Sequence, residues 1–363
     1  MLTNDRCDVT VVIPTRNRAN FLSEALRSAL SQVDISFEIR VVDDGSSDAT
    51  PELLKACVDT RVKPVRHASP RGVAAARNRA AAEARGEWLA FLDDDDIWAP
   101  TWLRTGLEIA RTRGAGAVYG GYWIVDEQRR VLGAELARHP SQVHRLLADY
   151  NAVGGPSSVM VRTDVMAAAG GFDERLSALA DWEAWLRVFD RCQAAAVPEL
   201  LSAYTVYPGN MHAQDPFGVY KEFDIFARIV STHGGTIKAV ADETFITWMA
   251  TESSRMGHRS RAARFWLRGA RRARRPRRVV RAALALARNR TPNGSTLAPP
   301  AWLASLADHP AFPIGVHSEA PDAQHLREAK RHSVRSQART NTWIADTTAW
   351  IADTTATERA AAS

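Results

Sequence analysis

The chain has 363 residues, of which 45% are hydrophobic and 24% charged, a composition that excludes an intrinsically disordered protein and allows one large domain with additions or two domains. Its three cysteines are widely spaced and form no Cys-x-x-Cys pair, which argues against a disulfide framework and against a zinc site. We recognise neither a signal peptide nor an apolar run of membrane-spanning length, so we expect a cytoplasmic protein. The formal net charge of +6 is uneven, because 13 arginines and no acidic residue lie between Arg259 and Arg290. The remaining 34 basic and 41 acidic residues leave a net charge of −7.

The first elements of the chain alternate between strand and helix. Three β-branched or apolar runs predict strands: Val9–Ile13, Phe37–Val42 and Val62–Arg66. The segments with helical periodicity or helix-starting residues are Phe21–Leu30, Asp48–Cys57 and Gly72–Arg85. Pro14 is expected to end the first strand, and the second runs into two carboxylates, Asp43 and Asp44. This alternation is typical of a doubly wound parallel sheet, and the lack of a Gly-x-Gly-x-x-Gly motif before the first helix excludes a Rossmann dehydrogenase.

A fourth apolar run, Trp88–Leu92, leads directly into four consecutive carboxylates, Asp93–Asp96. In open α/β sheets ligands bind at the carboxyl ends of the strands, so we expect a ligand site here. Adjacent carboxylates raise one another's pKa unless a cation neutralises them, and a hard divalent ion with oxygen ligands is the natural occupant. Asp93 and Asp95 can point the same way from an extended chain. We expect Asp96 to cap the helix that follows.

Four motifs in this order resemble those of family 2 glycosyltransferases with the GT-A fold: Val11–Arg18, Val41–Asp48, Arg71–Asn78 and Leu92–Asp96. The resemblance extends through Gly170–Glu174 and Asp181–Arg187 and covers roughly residues 8–211. It implies an α/β fold with a mixed, mostly parallel sheet flanked by helices. We place this catalytic domain at residues 1–220.

The resemblance also implies an activity, namely the transfer of a sugar with inversion from a nucleotide diphosphate-sugar to an acceptor hydroxyl or another nucleophile. It implies that Asp93 and Asp95 hold Mn²⁺ or Mg²⁺. It assigns the donor to Pro14, Thr15, Arg18, Asp43, Asp44, Arg77 and Asp94. Within this set, Asp43 or Asp44 would accept a hydrogen bond from the nucleobase. Arg77 would reach the base or its phosphate, and the alternative for Arg77 is an ordinary surface arginine.

Inversion in a single displacement needs a carboxylate beside the acceptor hydroxyl, and Asp181 is the candidate base. It opens a segment with an apolar face at helical spacing, so we expect it at a helix N-terminus, where it could also be only a cap. The adjoining Trp182 is predicted to contact the acceptor. Where many family members carry a histidine that completes the metal shell, this chain has Tyr207, and His212 is the candidate substitute.

Residues 221–290 predict a helical, Arg-rich extension that Pro276 should break. Its mixture of arginines and apolar residues is typical of helices on anionic membrane surfaces, and equally of a solvated basic helix over an acidic flank of the domain. The first alternative predicts peripheral contact with the inner face of the membrane, and nucleic acid is a less favoured partner. Residues 291–363 predict a low-complexity, mostly disordered tail, in which the heptad Trp343–Ala349 is repeated as Trp350–Ala356.

The sequence thus favours a metal-assisted, inverting glycosyltransferase. Two alternatives stay open: a protein that binds a sugar nucleotide without turnover, and a scaffold tethered by its basic arm to a membrane or to nucleic acid. The residues do not indicate whether the acceptor is a glycan, a lipid-linked sugar, a metabolite or a protein.

Overall fold

The structure is a computed structural model, and it describes residues 7–147, 151–207, 259–273 and 300–303 together with seven helical residues between 222 and 250. The predictions for His212, for the break at Pro276 and for the tail apart from residues 300–303 lie outside the described residues. The chain divides into two compact units, 1–297 with 309–316 and 298–308 with 317–363. All elements below belong to the first unit.

Nine strands of the described chain form one sheet in the order β3-β2-β1-β4-β8-β6-β9-β5, with β7 paired to β6. The strands are β1 Cys7–Thr15, β2 Phe37–Asp43, β3 Val62–Arg66, β4 Gly86–Phe91, β5 Ile97–Trp98, β6 Ala117–Val125, β7 Val131–Glu135, β8 Val159–Arg162 and β9 Ala194–Thr205. The helices are α1 Ala19–Leu30, α2 Thr50–Ala56, α3 Val73–Ala82, α4 Trp102–Arg113, α5 Pro140–Leu147, α6 Thr163–Ala168, α7 Ala180–Phe189 and α8 Arg259–Ala273. Strands β1 to β4 pair in parallel, as do β6 and β9, whereas β5, β7 and β8 pair antiparallel. The predicted mixed, mostly parallel sheet is therefore confirmed.

The parallel half of the sheet follows the predicted order of elements, with ends that shift by a few residues. Strand β1 does not end at Pro14 but continues to Thr15. Since β4 pairs with β1 only as far as Val12, the missing N–H of Pro14 costs no hydrogen bond to that strand. Asp48 accepts a hydrogen bond from the backbone N–H of Thr50 (3.0 Å) at the start of α2, but it is not the expected cap, because the N-cap residue is Ala49 and no side chain makes a capping hydrogen bond.

The prediction that Asp96 caps the next helix is wrong. Helix α4 begins at Trp102, with Thr101 as its N-cap and without a side-chain capping hydrogen bond. The Asp96 carboxylate instead accepts hydrogen bonds from the Ser157 hydroxyl (2.6 Å) and from the backbone N–H of Thr205 (2.9 Å). The cause is the short strand β5, which pairs with β9 and separates the acidic residues from the start of α4.

Each face of the sheet carries a hydrophobic core. One core contains Trp98 and Trp102, whose ring centroids lie 6.3 Å apart. The other contains Phe91 at the end of β4, which contacts Phe172 (5.2 Å) and Trp185 of α7 (5.8 Å). Helix α7 therefore packs beside the end of β4, which brings it close to the acidic residues that follow Phe91.

Part of the predicted basic extension is helical, as helix α8. It contains six arginines and no acidic residue. Among the side chains of α8 whose burial the structure describes, Ala262, Ala263, Phe265 and Trp266 are buried, whereas Arg264 and Leu267 are exposed. Among the helices that the structure describes, none is long and apolar enough to cross a membrane.

Candidate active site

The acidic loop Asp93–Asp96 leaves the sheet at the carboxyl end of β4, between strands β1 and β8. The N–H of Leu92 donates to the carbonyl of Val12 (3.0 Å), so the chain stays extended up to Asp93. The N–H of Asp96 then donates to the carbonyl of Asp93 (3.1 Å), and the loop turns. Because of this turn, the four carboxylates enter different surroundings.

Arg18 links two of the four carboxylates. Its Nη1 donates to Asp94 Oδ1 and to Asp95 Oδ2, both at 2.9 Å. Asp94 also accepts from the Thr15 hydroxyl (2.7 Å), and Asp95 accepts from the Tyr207 hydroxyl (3.0 Å). The Tyr207 ring lies against the Arg18 guanidinium, at 5.7 Å from its centroid. The structure thus brings four predicted residues together and adds Tyr207, the residue that stands where a metal-shell histidine was expected.

Burial raises the pKa of the carboxylates inside this loop. The pKa of Asp94 is raised to about 7, because burial and the neighbouring Asp95 disfavour its charged form more than Arg18 favours it. Burial also raises the pKa of Asp95 against the effect of Arg18, and it raises the pKa of Asp96 well above its ordinary value. The charge of Arg18 therefore does not offset the effect of burial on Asp94 and Asp95, and a further cation would favour the ionised carboxylates of this loop.

Ser157 shapes the acidic loop, although it is not among the predicted site residues. Its hydroxyl oxygen accepts from the N–H of Asp93 (3.0 Å) and donates to Asp96 Oδ2 (2.6 Å). Its carbonyl accepts from the indole N–H of Trp98 (2.6 Å). The only signal in the sequence is the Gly, Pro and Ser composition of residues 151–158, which predicts a loop but not its partner.

Arg77 is paired with the first residue of the acidic loop. Its Nη2 donates to Asp93 Oδ1 at 2.5 Å, and its side chain is only 6% exposed. The guanidinium lies 5.3 Å from the ring centroid of Phe172, and its Nε is buried without a hydrogen-bond partner among the described residues. The alternative of an ordinary surface arginine is therefore wrong. The predicted contact of Arg77 with the donor stays a prediction.

Asp181 lies in the first turn of α7, at a helix N-terminus as expected, but it is not the cap. The N-cap position is Leu179, and it makes no side-chain capping hydrogen bond. Asp181 Oδ1 accepts from the N–H of Trp182 (2.7 Å), and Oδ2 accepts from the side-chain amide of Asn151 (3.3 Å). The amide of Asn151 also donates to the carbonyl of Gly154 (3.1 Å), which fixes its direction.

The charge state of Asp181 is linked to the acidic loop. Burial raises the pKa of Asp181 to about 6, the positive charge of Arg77 opposes this rise, and the negative charge of Asp93 adds to it. Arg77 is therefore in contact with Asp93 and electrostatically close to Asp181. A carboxyl group with such a pKa is mostly ionised at neutral pH and can still accept a proton.

The predicted acceptor contact of Trp182 requires correction. Its side chain is buried, its indole N–H donates to the carbonyl of Leu147 (2.7 Å), and its ring lies 4.7 Å from that of Phe226. The amphipathic spacing of α7 turns this residue toward the core, although its neighbour in sequence is the candidate base. We therefore do not retain Trp182 as an acceptor contact.

The two carboxylates at the end of β2 hold neighbouring loops. Asp44 accepts from Nδ1 of His67 (2.7 Å) and from the backbone N–H groups of Arg71 (2.8 Å) and Gly72 (2.9 Å), immediately before α3. Burial alone would raise the pKa of Asp44, but these hydrogen bonds outweigh it and lower the pKa.

Asp43 accepts from the N–H of Ser46 (2.8 Å) and pairs with Arg66. Pro14 is buried in β1, next to this end of β2. Each carboxylate is thus hydrogen-bonded within the chain, and the contact of Asp43 or Asp44 with a nucleobase stays a prediction.

The chemistry of Asp93 and Asp95 fits a hard divalent cation, since carboxylate oxygens are the ligands that Mg²⁺ and Mn²⁺ prefer. Among the described residues there is no group of three or more His, Cys, Asp or Glu that could hold a metal ion. Mg²⁺ is commonly bound through one or two carboxylates plus substrate phosphates and water. Two carboxylates therefore fit a cation that arrives together with a diphosphate.

Comparisons with known proteins find relatives of the sequence and of the fold. The family model of glycosyl transferase family 2 matches residues 10–163, from β1 to the start of α6. The succinoglycan biosynthesis protein ExoO of Rhizobium meliloti is 41% identical over 137 residues, which are 37% of this chain and 39% of ExoO. The UDP-Glc:alpha-D-GlcNAc-diphosphoundecaprenol beta-1,3-glucosyltransferase WfgD of Escherichia coli is 30% identical over 155 residues, 43% of this chain and 60% of WfgD. The matched part spans less than two thirds of the length of both relatives.

Two solved structures share the fold. TarS residues 1–349 of S. aureus is 18% identical, with a TM-score of 0.52 over 76% of this chain and 83% of that one. The mannosyltransferase PcManGT of Pyrobaculum calidifontis, in complex with GDP-Man and Mn²⁺, is 20% identical, with a TM-score of 0.51 over 83% of this chain and 86% of that one. At these identities the likeness shows the fold alone. The likeness shows that the chain has the GT-A fold, and the match of residues 10–163 to glycosyl transferase family 2, together with the glycosyltransferase relatives, supports a family 2 glycosyltransferase.

Proposed function

We propose that the protein is an inverting glycosyltransferase that moves a sugar from a nucleotide diphosphate-sugar to an acceptor hydroxyl. One observation carries this proposal: the buried guanidinium of Arg77 pairs with Asp93 of the acidic loop, and its charge opposes the rise that burial causes in the pKa of Asp181 in α7. The carboxyl groups of Asp93 and Asp181, from distant parts of the chain, are thus both under the electrostatic influence of one guanidinium. Their different environments suit different roles, one toward the donor and one toward the acceptor.

On the donor side we assign Asp93 and Asp95 to Mn²⁺ or Mg²⁺, which when bound neutralises charge on the leaving diphosphate. Arg18 and Arg77 lie at the same loop, and the planar guanidinium group suits phosphate oxygens. The name of WfgD specifies UDP-Glc, and the structure of PcManGT holds GDP-Man with Mn²⁺. UDP-Glc is therefore the first donor to test and GDP-Man the second.

On the acceptor side we assign Asp181 as the general base. Its carboxylate takes the proton of the acceptor hydroxyl while the acceptor oxygen forms a bond to the anomeric carbon. The bond between that carbon and the diphosphate oxygen breaks, and the nucleoside diphosphate leaves with the bonding electron pair. General-base help of this kind contributes about 10²–10⁴-fold to a rate. The raised pKa of Asp181, about 6, supports this role.

For the acceptor we favour a lipid-linked sugar. The name of WfgD specifies a sugar on diphosphoundecaprenol. The six arginines of α8, without any acidic residue, suit a helix on an anionic membrane surface, where such an acceptor is presented. The exposed side chain of Leu267 supports the same contact.

Calorimetric titration of the full chain with UDP-Glc and GDP-Man, in Mn²⁺ and in EDTA, tests the donor site. Incubation with a sugar-diphosphate-lipid acceptor then tests transfer, and NMR of the product reports its anomeric configuration. We expect cation-dependent binding and a product of inverted configuration. Binding without transfer would favour the alternative of a sugar-nucleotide-binding protein, and lack of binding to any nucleotide diphosphate-sugar would contradict both.

A further inference from the structure

The start of helix α7 is held by a carboxylate from a distant part of the chain. Oε2 of Glu222 accepts hydrogen bonds from three successive backbone N–H groups, those of Ser177 (3.1 Å), Ala178 (2.9 Å) and Leu179 (3.2 Å). Asp181 follows two residues after the last of them. The candidate base, Asp181, is therefore two residues away from Leu179, which Glu222 contacts.

A carboxylate is favourable at this point for two reasons. The first N–H groups of a helix have no partner within the helix, and the helix dipole places positive charge there. The local sequence offers no cap, because the N-cap residue is Leu179, whose side chain cannot accept a hydrogen bond. Of the three N–H groups that Glu222 binds, that of Leu179 belongs to the N-cap residue, and those of Ser177 and Ala178 lie in the turn before the helix. Glu222 therefore fixes the turn that leads into α7.

The same segment contacts α7 beyond its start. Phe226, four residues after Glu222, is buried, and its ring lies 4.7 Å from that of Trp182. Leu179 lies two residues before Asp181 and Trp182 directly after it, so Glu222 and Phe226 make contacts on both sides of the candidate base in the sequence. On the opposite side of the carboxyl group, the Asn151 amide donates to Asp181 Oδ2 (3.3 Å).

We propose that Glu222 is a positioning residue for Asp181: it fixes the turn that leads into α7 and thereby the position of the Asp181 carboxylate in the first turn of that helix. This inference rests on the role of Asp181 proposed above. Glu222 makes its contacts with backbone N–H groups and acts on the acceptor side, so its loss should leave the donor site intact. A displacement of about 1 Å in a catalytic group can cost up to about 100-fold in rate.

The test compares Glu222→Ala with Glu222→Gln, because glutamine keeps a carbonyl oxygen that can accept the same hydrogen bonds. Glu199→Ala, at an exposed glutamate of β9, is the control. We expect Glu222→Ala to lower kcat between about 10- and 100-fold with an unchanged donor Kd. Glu222→Gln should restore most of the rate, and the amides of Ser177 to Leu179 should exchange faster in Glu222→Ala alone.

Equal kcat in wild type and Glu222→Ala, or equal loss in the alanine and glutamine variants, would overturn the proposal. A parallel loss of donor affinity and kcat would also overturn it, since Glu222 would then only stabilise the fold. If the wild-type protein transfers no sugar at all, the proposed function fails, but exchange at Ser177 to Leu179 still decides whether Glu222 holds this turn. Unchanged exchange there would contradict the contact itself.

Discussion

Arg77 Nη2 lies 2.5 Å from Asp93 Oδ1, so a guanidinium is the counterion of a carboxylate that the sequence assigns to a metal. Arg18 has the same relation to Asp95, at 2.9 Å. A divalent cation must compete with these ion pairs when it binds alone. The diphosphate of a donor offers both arginines another anionic partner, which makes the carboxylates available to the cation.

The first prediction is that cation and nucleotide bind cooperatively. We expect the Kd for Mn²⁺, measured by electron paramagnetic resonance, to fall by roughly tenfold or more when UDP is present, which corresponds to about 1.4 kcal/mol of coupling. By reciprocity, EDTA should weaken UDP binding by the same factor. Equal Mn²⁺ affinity with and without UDP would contradict this prediction.

A variant of the acidic loop provides the control for that experiment. Asp95→Ala should abolish the dependence of UDP binding on Mn²⁺. The fold should survive, because Arg18 stays paired with Asp94 after the change, and burial already disfavours the ionised form of Asp95. Glu127→Ala, at an exposed glutamate, should behave like the wild type in both titrations.

The second prediction concerns the base. Asp181→Asn keeps the shape of the side chain and its hydrogen-bonding capacity but cannot accept a proton. Transfer should therefore fall by about 10²–10⁴-fold, while donor Kd changes little. The donor Kd, from calorimetry, and the transfer rate, from product formation, should be measured on the same preparation. Near-normal transfer would show that another group takes the proton.

The third prediction is the acid limb of the pH profile. The pKa of Asp181 is raised to about 6, so the carboxylate is protonated and inactive below this pH and active above it. We expect kcat/KM to rise with pH and to level off above a midpoint near 6. Because the charge of Arg77 lowers the pKa of Asp181, Arg77→Gln should move this midpoint to higher pH. A midpoint near 4 in the wild type would mean that Asp181 is not the titrating group.

The fourth prediction is that the ionised carboxylate of Asp181 lowers the free energy of unfolding at neutral pH. The folded-state pKa of Asp181 lies above its ordinary value of 3.8, so folding takes up a proton, and stability falls as pH rises from about 4 to about 6. A shift of roughly two pKa units corresponds to about 3 kcal/mol at most. Urea unfolding of Asp181→Asn should show a gain of up to this size at pH 7.5 and little gain at pH 3.5. A loss of stability at pH 7.5 would show that the ionised carboxylate stabilises the fold.

The elements of the parallel half could be predicted from local patterns. Apolar runs and turn residues act within a few residues, and they predicted β1 to β4 and the helices between them, with ends that shift by a few residues. The site depends on longer contacts. Asp96 is bound to Thr205, which lies 109 residues further along the chain, so a local capping rule gave the wrong partner.

Two further residues show the same limit. Trp182 adjoins Asp181 in sequence, but successive side chains of a helix point about 100° apart around its axis. The indole of Trp182 therefore lies in the core. Glu222 lies in a segment that resembles no motif, so nothing in the sequence links it to α7. Glu222 binds backbone N–H groups, which every residue except proline has. The side chains of residues 177–179 therefore give no sign of this contact in the sequence.

The last prediction is that α8 binds anionic membranes. Vesicles rich in phosphatidylglycerol should sediment the full chain, phosphatidylcholine vesicles should not, and salt should release it, because each arginine near such a surface contributes about 1 kcal/mol and is screened within a Debye length. Replacing Arg264 and Leu267, both exposed, by glutamine should weaken binding by roughly tenfold, through the lost charge and the lost apolar contact. The matched control replaces Arg113 and Val58, also exposed, by glutamine and should leave binding unchanged. Equal sedimentation with both kinds of vesicle would contradict the prediction, and preferential binding to duplex DNA would favour the nucleic-acid alternative.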